Sequence, residues 1–199
     1  MITTYKTIKS PTEALFKDKG SRFLAYAYPV ADLDKVKEYL QALYELHPKA
    51  VHHCYAYRLD ADGQQVRAND DGEPSGSAGR PILGQIDSLE LTHVLVVVVR
   101  YFGGVLLGVP GLINAYKTAT QLALQEAEIV EKIITRTAHL NCSYEALGEI
   151  LNIIKNCQGE IVQTDMGIDC FIKFSLPLDS IDTFKSKMEK FYSIDYQFE

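Results

Sequence analysis

No stretch of this 199-residue sequence approaches the roughly 18 to 20 consecutive apolar residues that a membrane-spanning helix needs. The most apolar region, 91–111, is interrupted by His93, Arg100 and glycines at 103, 104, 108 and 111. The opening MITTYKTIKS lacks the apolar core of a secretory signal, so export is not expected and the expected location is cytoplasmic. Cys54, Cys142, Cys157 and Cys170 form no C-x-x-C pair and have no histidine at zinc-finger spacing. That pattern reads as reduced thiols rather than disulfides or structural zinc. A basic excess is missing as well: 20 Lys and Arg face 26 Asp and Glu, for a net charge of −6. Divided near residue 128, the two parts carry 13 basic against 15 acidic residues and 7 against 11. Neither part has a field that draws DNA, and any RNA contact requires a local basic patch.

The chain does contain enough apolar sequence, 47% with 23% charged residues, for one long domain or two small ones. Its most informative stretch is 91–115, LTHVLVVVVRYFGGVLLGVPGLINA. Five unalternating apolar residues, 95–99, suit a central strand covered on both faces. Arg100 ends that run, glycines 103, 104, 108 and 111 free the backbone, and Pro110 suits a first helical turn. Strand, flexible loop and helix start in this order commonly place amide donors around a ligand or partner.

Before this stretch, 21–30 (SRFLAYAYPV) reads as a strand, and Asp32 as the cap of a helix to about His47 bearing Leu33, Val36, Leu40 and Leu43 on one face. Residues 52–59 (HHCYAYRL) and 64–68 form a strand pair around the Asp62-Gly63 turn. The segment 69–81, NDDGEPSGSAGRP, is too polar for core, and 82–89 continues as helix. Residues 110–127 form an amphipathic helix with Leu112, Tyr116, Ala119 and Ala123 in step.

From residue 130 the pattern changes to a strand (130–142), a helix bearing Leu147, Ile150, Leu151 and Ile154, a strand (161–166) and an alternating strand through Ile168, Cys170, Ile172, Phe174 and Leu176. A helix capped by Asp179, with Ile181, Phe184, Met188 and Phe191 on one face, and a last strand with Ile194, Tyr196 and Phe198 complete the order βαββαβ. This is the split-βαβ, ferredoxin-like pattern, with helices on one face of an antiparallel sheet.

The segments YAYPV, HHCYAYRL, NDDGEPSGSAGRPIL and VVVVRYFGGVLLGVPGLINAY together resemble the IMPACT family, in its bacterial branch with a C-terminal domain of its own. The resemblance implies an α+β protein of two domains. Residues 1–128 are expected to be similar to the second domain of ribosomal protein S5. Residues 129–199 are expected to be ferredoxin-like and similar to the fifth domain of elongation factor G. It also implies a role in translation, through RNA, a ribosome-associated factor or another protein partner. Eukaryotic members restrain a starvation-response kinase by competing for its co-activator; because this chain begins directly with the resembling module, that role is not expected to transfer. The loop departs from the usual family wording at Leu106, Pro110, Asn114 and Lys117, and follows it at Asp71, Gly72, Glu73, Pro74, Gly76, Gly79, Arg80, Arg100, Gly103 and Gly104.

Several familiar chemistries fail on spacing. Asp70, Asp71 and Glu73 lack the alternation and distal glutamate of a calcium loop and read as a solvated acidic turn. Two residues before Ser77 stands Ser75 rather than the first glycine of a nucleophile elbow, and no Gly-Lys-Ser/Thr follows the glycines to make a P-loop. His52 and Cys54 share a strand face but stand about 7 Å apart, too far for a hydrogen-bonded dyad. The hydroxyls of Ser75 and Ser77, the amides of a helix start and Arg80 remain as an anion-binding candidate, beside a purely structural turn. Arg100 must find either a salt bridge to Asp70, Asp71 or Glu73, or a ligand. Tyr26, Tyr28, Tyr55, Tyr57, Tyr101 and Phe102 offer base-stacking platforms, or cross-strand core.

The expectation is a non-enzymatic binding protein with no cofactor, no metal and no catalytic residue, in which the two segments meet to form one groove. Its candidate residues are Asp70, Asp71, Glu73, Ser75, Ser77, Arg80, Arg100, Tyr101, Gly103 and Gly104, with Arg80 and Arg100 as the positive groups. The alternatives are a small-anion-binding protein or enzyme using the same residues, and a protein-interaction module without nucleic acid. Thr135, Thr137, His139 and Lys173, on the open face of the C-terminal sheet, are the fallback RNA surface.

Overall fold

The apolar run at 95–99 lies within strand β6 (Val94–Tyr101), the middle of a five-stranded antiparallel sheet in the computed structural model, which describes residues 2–192 and 194–199. In chain order the strands are β1 (Thr4–Ile8), β2 (Thr12–Asp18), β3 (Ser21–Pro29), β4 (His52–Leu59), β5 (Gln65–Asn69), β6, β7 (Ile129–Ile133), β8 (Thr135–Cys142), β9 (Glu160–Met166), β10 (Cys170–Pro177) and β11 (Tyr196–Phe198). The helices are α1 (Leu33–Leu46), α2 (Gly79–Ser88), α3 (Gly108–Gln125), α4 (Tyr144–Asn156) and α5 (Ile181–Met188). None of these helices is long and apolar enough to cross a membrane.

The chain divides into two compact units, Tyr5–Lys132, and Ile133–Glu199 joined by the residues before Tyr5. The division falls past residue 128 because β7 turns back to pair with β1 in a separate two-stranded sheet.

In the first unit the strand order is β2-β3-β6-β4-β5, so β6 separates two parallel strands, β3 and β4, that α1 connects. Alternation then assigns β6 side chains to two cores. Val94, Val96 and Val98 pack with Ile82 and Ile86 of α2 and with Leu112, Ala115, Tyr116 and Ala119 of α3. Leu95, Val97 and Val99 pack with Val36 and Leu43 of α1. Covering by helices on both faces is why the run shows no polar alternation. Helix α1 starts where Asp32 accepts hydrogen bonds from the amides of Asp34 and Lys35, the cap the sequence predicts.

The second unit has the strand order β11-β8-β10-β9, with antiparallel neighbours throughout. Ala138, Leu140, Ile172, Phe174 and Leu176 face a core closed by Ile150, Ile153 and Ile154 of α4 and by Phe184 and Met188 of α5. This is the ferredoxin-like arrangement expected from periodicity, in an α+β protein of two units.

Four local expectations change. Strands β1 and β2 are unforeseen in the sequence; in β2, Ala14 and Phe16 pack inward, but Leu15 is exposed on the face that should have been polar. The predicted strand 130–142 is two strands, because β7 belongs to the β1 ribbon and β8 to the second sheet. Ile168 lies in the turn before β10 and is 98% exposed. Asp179 sits in a short 3₁₀ turn, Leu178–Ser180, so α5 begins two residues later without a side-chain cap.

Candidate functional site

Segment 69–81 is tied to β4 and α2 by its own carboxylates. Asn69 Oδ1 accepts from the amide of Asp71 at 2.7 Å and closes an Asx turn. Asp71 (φ 41°) and Gly72 (φ 86°) both take left-handed backbone there. Asp71 Oδ2 accepts from the amide of His53 at 2.6 Å, and its carbonyl accepts from His52 Nδ1 at 2.6 Å. Asp70 reaches forward to the start of α2 and accepts from the amides of Gly76 (2.8 Å), Ala78 (3.0 Å) and Gly79 (2.8 Å). Burial pushes the Asp70 carboxyl up, but those three amides and the nearby charge of Arg80 outweigh it and leave its pKa lowered. Gly79 is required here, since a Cβ would lie 2.5 Å from the backbone nitrogen of Asn69.

This corrects the anion-binding expectation for Ser75, Ser77 and Arg80. The amides that would cradle a phosphate already hold Asp70, a negative group at a helix N-terminus. Ser77 is buried and donates to the carbonyl of Pro74 at 2.6 Å, while Ser75 and Arg80 are exposed. The acidic turn is not a solvated one, because each of its carboxylates has a protein partner.

Glu73 joins the two segments. It is 8% exposed, and its Oε1 accepts from Arg100 Nη1 at 2.6 Å and from the Tyr116 hydroxyl at 2.8 Å. Of the three carboxylates the sequence offered to Arg100, this is the one used. Arg100 is 6% exposed, lies over the rings of Phe23 and Phe102, and has no hydrogen-bond partner for Nε among the described residues. His52 Nε2 stands 3.8 Å from Glu73 Oε1. The Cys54 thiol is 3.0 Å from the carbonyl of Asp70 and 3.3 Å from the Tyr116 hydroxyl. Burial pushes both the Cys54 thiol and the Tyr116 hydroxyl far up, so neither supplies an anionic nucleophile near neutral pH.

Above this network opens a cleft of about 480 Å³. Its floor is His52, Glu73 and Arg100, and its walls are Val51, Pro74, Phe102, Leu106, Leu107, Val109 and Leu112. Leu106, 83% exposed, forms its lip with Phe102 and Val109. An ion pair beneath apolar walls gives a concave surface with few, fixed polar groups, the usual character of a ligand pocket.

The structure therefore brings Glu73 and Arg100 together and leaves several other predicted residues outside the cleft. Tyr101 alternates to the opposite sheet face, where its hydroxyl is 2.9 Å from His47 Nδ1 and Arg22 lies over its ring. Gly103 packs against the β2–β3 turn: a Cβ on it would lie 1.9 Å from the carbonyl carbon of Gly20. Gly104, at φ 85°, continues the loop with open space around it. Tyr26, Tyr28, Tyr55 and Tyr57 belong to the α1-side core and its margin rather than to a stacking platform. In the second unit, Lys173 pairs with Glu199 at 2.7 Å, which spends the positive charge proposed for the fallback surface. Tyr116 and the apolar walls other than Phe102 were not among the candidates, and His52 was weighed only for a dyad with Cys54. The legible signals were a tyrosine inside the apolar stripe of α3, whose hydroxyl needs a partner, and four large apolar residues in a glycine-rich loop.

The fold and cleft define a class: a two-unit α+β protein whose first unit frames an apolar cleft between an acidic turn and a glycine-rich loop. The Impact N-terminal domain family matches residues 19–124. The IMPACT family member YigZ of Escherichia coli is 32% identical over 184 residues, 92% of this chain and 90% of that one. YvyE, the IMPACT family member of Bacillus subtilis, is 35% identical over 158 residues, 79% of this chain and 73% of that one. Protein IMPACT of Rattus norvegicus is 40% identical over 96 residues, which cover 46% of this chain and 30% of that one. A crystal structure of a hypothetical protein superposes with a TM-score of 0.77 at 30% identity, covering 98% of this chain and 97% of that one. The chain belongs to the IMPACT family.

Proposed function

We propose that this chain is a non-enzymatic binding protein acting in translation, and that the cleft over Glu73 and Arg100 is where it holds its partner. The observation that carries the reading is the cleft's construction: exposed apolar walls above a paired charge, with Cys54 and Tyr116 kept protonated by burial. Such a surface binds without activating a nucleophile. The family resemblance supports translation as the setting. A protein factor fits better than RNA, because Glu73 neutralises Arg100 at the floor and the chain carries a net charge of −6.

The test is affinity capture from the native cell lysate, with and without nuclease, using the parent chain and Leu106→Glu. The expected result is nuclease-resistant enrichment of a ribosomal or translation-factor protein that Leu106→Glu abolishes. Capture that persists in Leu106→Glu places binding elsewhere, and loss on nuclease treatment favours the RNA reading. Absence of any translation component removes the setting.

A further inference from the structure

We infer that β2 is the pairing edge of a symmetric dimer, in which two copies of this chain join their β2 strands antiparallel about a two-fold axis at Leu15. Three observations specify this partner.

The first is an open ladder. Strand β2 ends one side of the order β2-β3-β6-β4-β5, and among the described residues it pairs with β3 alone. Lys19 (φ 43°) and Gly20 (φ 82°) make the two-residue turn between β2 and β3, so Asp18 and Ser21 are the closing hydrogen-bonded pair of the hairpin. Ladder alternation then turns the amides and carbonyls of Glu13, Leu15 and Lys17 to the open side. No proline or bulge blunts this edge, TEALFKD.

The second is self-complementarity. Antiparallel pairing centred on Leu15 sets it against the partner's Leu15, Glu13 against the partner's Lys17, Lys17 against the partner's Glu13, and Ala14 against the partner's Phe16. Opposite charges face each other at both ends of the contact, and a small side chain faces a large one on the other side of the sheet. A shift of two residues either way sets Leu15 against a charged side chain instead.

The third is what the single chain leaves unmatched. Glu13 and Lys17 have no ion-pair partner among the described residues, and Lys17 stands directly opposite a like charge, Arg22 of β3. Leu15 is 49% exposed and lies opposite half-buried Leu24, at the margin of the α1-side core. In the dimer the partner's Glu13 comes beside Lys17, and Leu24, Leu15, the partner's Leu15 and the partner's Leu24 form one apolar row across the axis. The two sheets become continuous. Because the contact is isologous, it occupies both β2 edges and closes at two copies.

The experiment is sedimentation equilibrium of the intact chain from about 10 µM to about 1 mM, with Glu13→Lys and Lys17→Glu, both at exposed positions, run alone and mixed in equal amounts. A contact built on one strand lies at the low end of specific interfaces, so the parent should dimerise with a dissociation constant on the order of 10–100 µM. Either variant alone sets like charges opposite each other twice across the axis and should weaken the dimer at least about tenfold. In the mixture a Glu13→Lys chain meets a Lys17→Glu chain with opposite charges at both positions, and association should return to within about threefold of the parent. That recovery separates lost pairing from lost folding. A parent that stays monomeric at about 1 mM overturns the inference. So does a dimer that neither variant weakens, which places the contact elsewhere, or a mixture that associates no better than its components.

Discussion

Removing the Glu73 carboxylate should be the most damaging single side-chain change in the first unit. Glu73→Ala leaves the Arg100 guanidinium buried and unpaired, which typically costs about 3–5 kcal/mol. It also strips the Tyr116 hydroxyl of its acceptor, for which about 1–3 kcal/mol is usual. Both bonds end on the same oxygen, so the two costs do not add in full, and about 4 kcal/mol is expected. With a urea slope of about 2 kcal/mol/M, the midpoint should fall by roughly 2 M. Near-UV circular dichroism reports on the relevant unit, because nine of the twelve tyrosines lie in Tyr5–Lys132. A buried ion pair stabilises little relative to apolar replacements, although breaking it is expensive. The combined variant Glu73→Leu, Arg100→Met, Tyr116→Phe should therefore return to within about 1–2 kcal/mol of the parent. The reasoning is refuted if Glu73→Ala costs under about 1 kcal/mol, or if the triple variant is as unstable as the single one.

Three further outcomes follow from the same geometry. Asp70→Ala should destabilise the start of α2 by about 2 kcal/mol or more, with Asp70→Asn intermediate, because three backbone amides lose their shared acceptor; urea titrations that leave Asp70→Ala at parental stability would contradict this. Two glycine-to-alanine changes should have opposite signs. Gly103→Ala clashes with the Gly20 backbone and should cost about 2 kcal/mol or more, whereas Gly148→Ala, in open space on α4, should stabilise by about 0.5–1 kcal/mol; thermal melts of the pair check both directions. Burial lowers the pKa of His47, and for His53 it outweighs the opposing Leu43 carbonyl and Asp71 charge. The unfolded chain then binds more protons below about pH 6.5, so stability should decline from there and level off beneath the folded values. Asp70, with a lowered folded pKa, adds a further loss as pH falls through that value. NMR titration of either imidazole with a midpoint above about 6.5 would reverse the sign for that ring.

Periodicity made most of the fold legible, and it failed where a side chain broke the pattern. Val94 to Val99 announced a doubly covered strand because both faces meet helices, and Ala138, Leu140, Ile172 and Phe174 announced a one-sided sheet. Strand β2 escaped because exposed Leu15 blurs the alternation of Ala14 and Phe16. At the site, the meeting of the acidic turn with Arg100 was readable, since a charge ending a buried strand demands a partner. The use of Asp70 as the cap of α2 was not, because the capping carboxylate stands nine residues before the first helical residue and local motifs look no further than three or four. Tyr101 was misplaced because the loop was read as one surface, whereas strand alternation sends Arg100 and Tyr101 to opposite faces. The apolar walls were overlooked because polar residues drew the search. Phe102 reads in the sequence as a stacking platform or cross-strand core, and Leu106 only as a departure from the family wording.

The central claim is that the cleft over Glu73 and Arg100 holds the partner in translation. Photo-crosslinking in the native cell tests it directly, with a photoreactive amino acid in place of Leu106 at the lip or, as a control, of Val162 on exposed strand β9. The account predicts a discrete crosslink from position 106 to a ribosomal or translation-factor protein and none of comparable yield from position 162. A partner that crosslinks from 162 and not from 106 would contradict it.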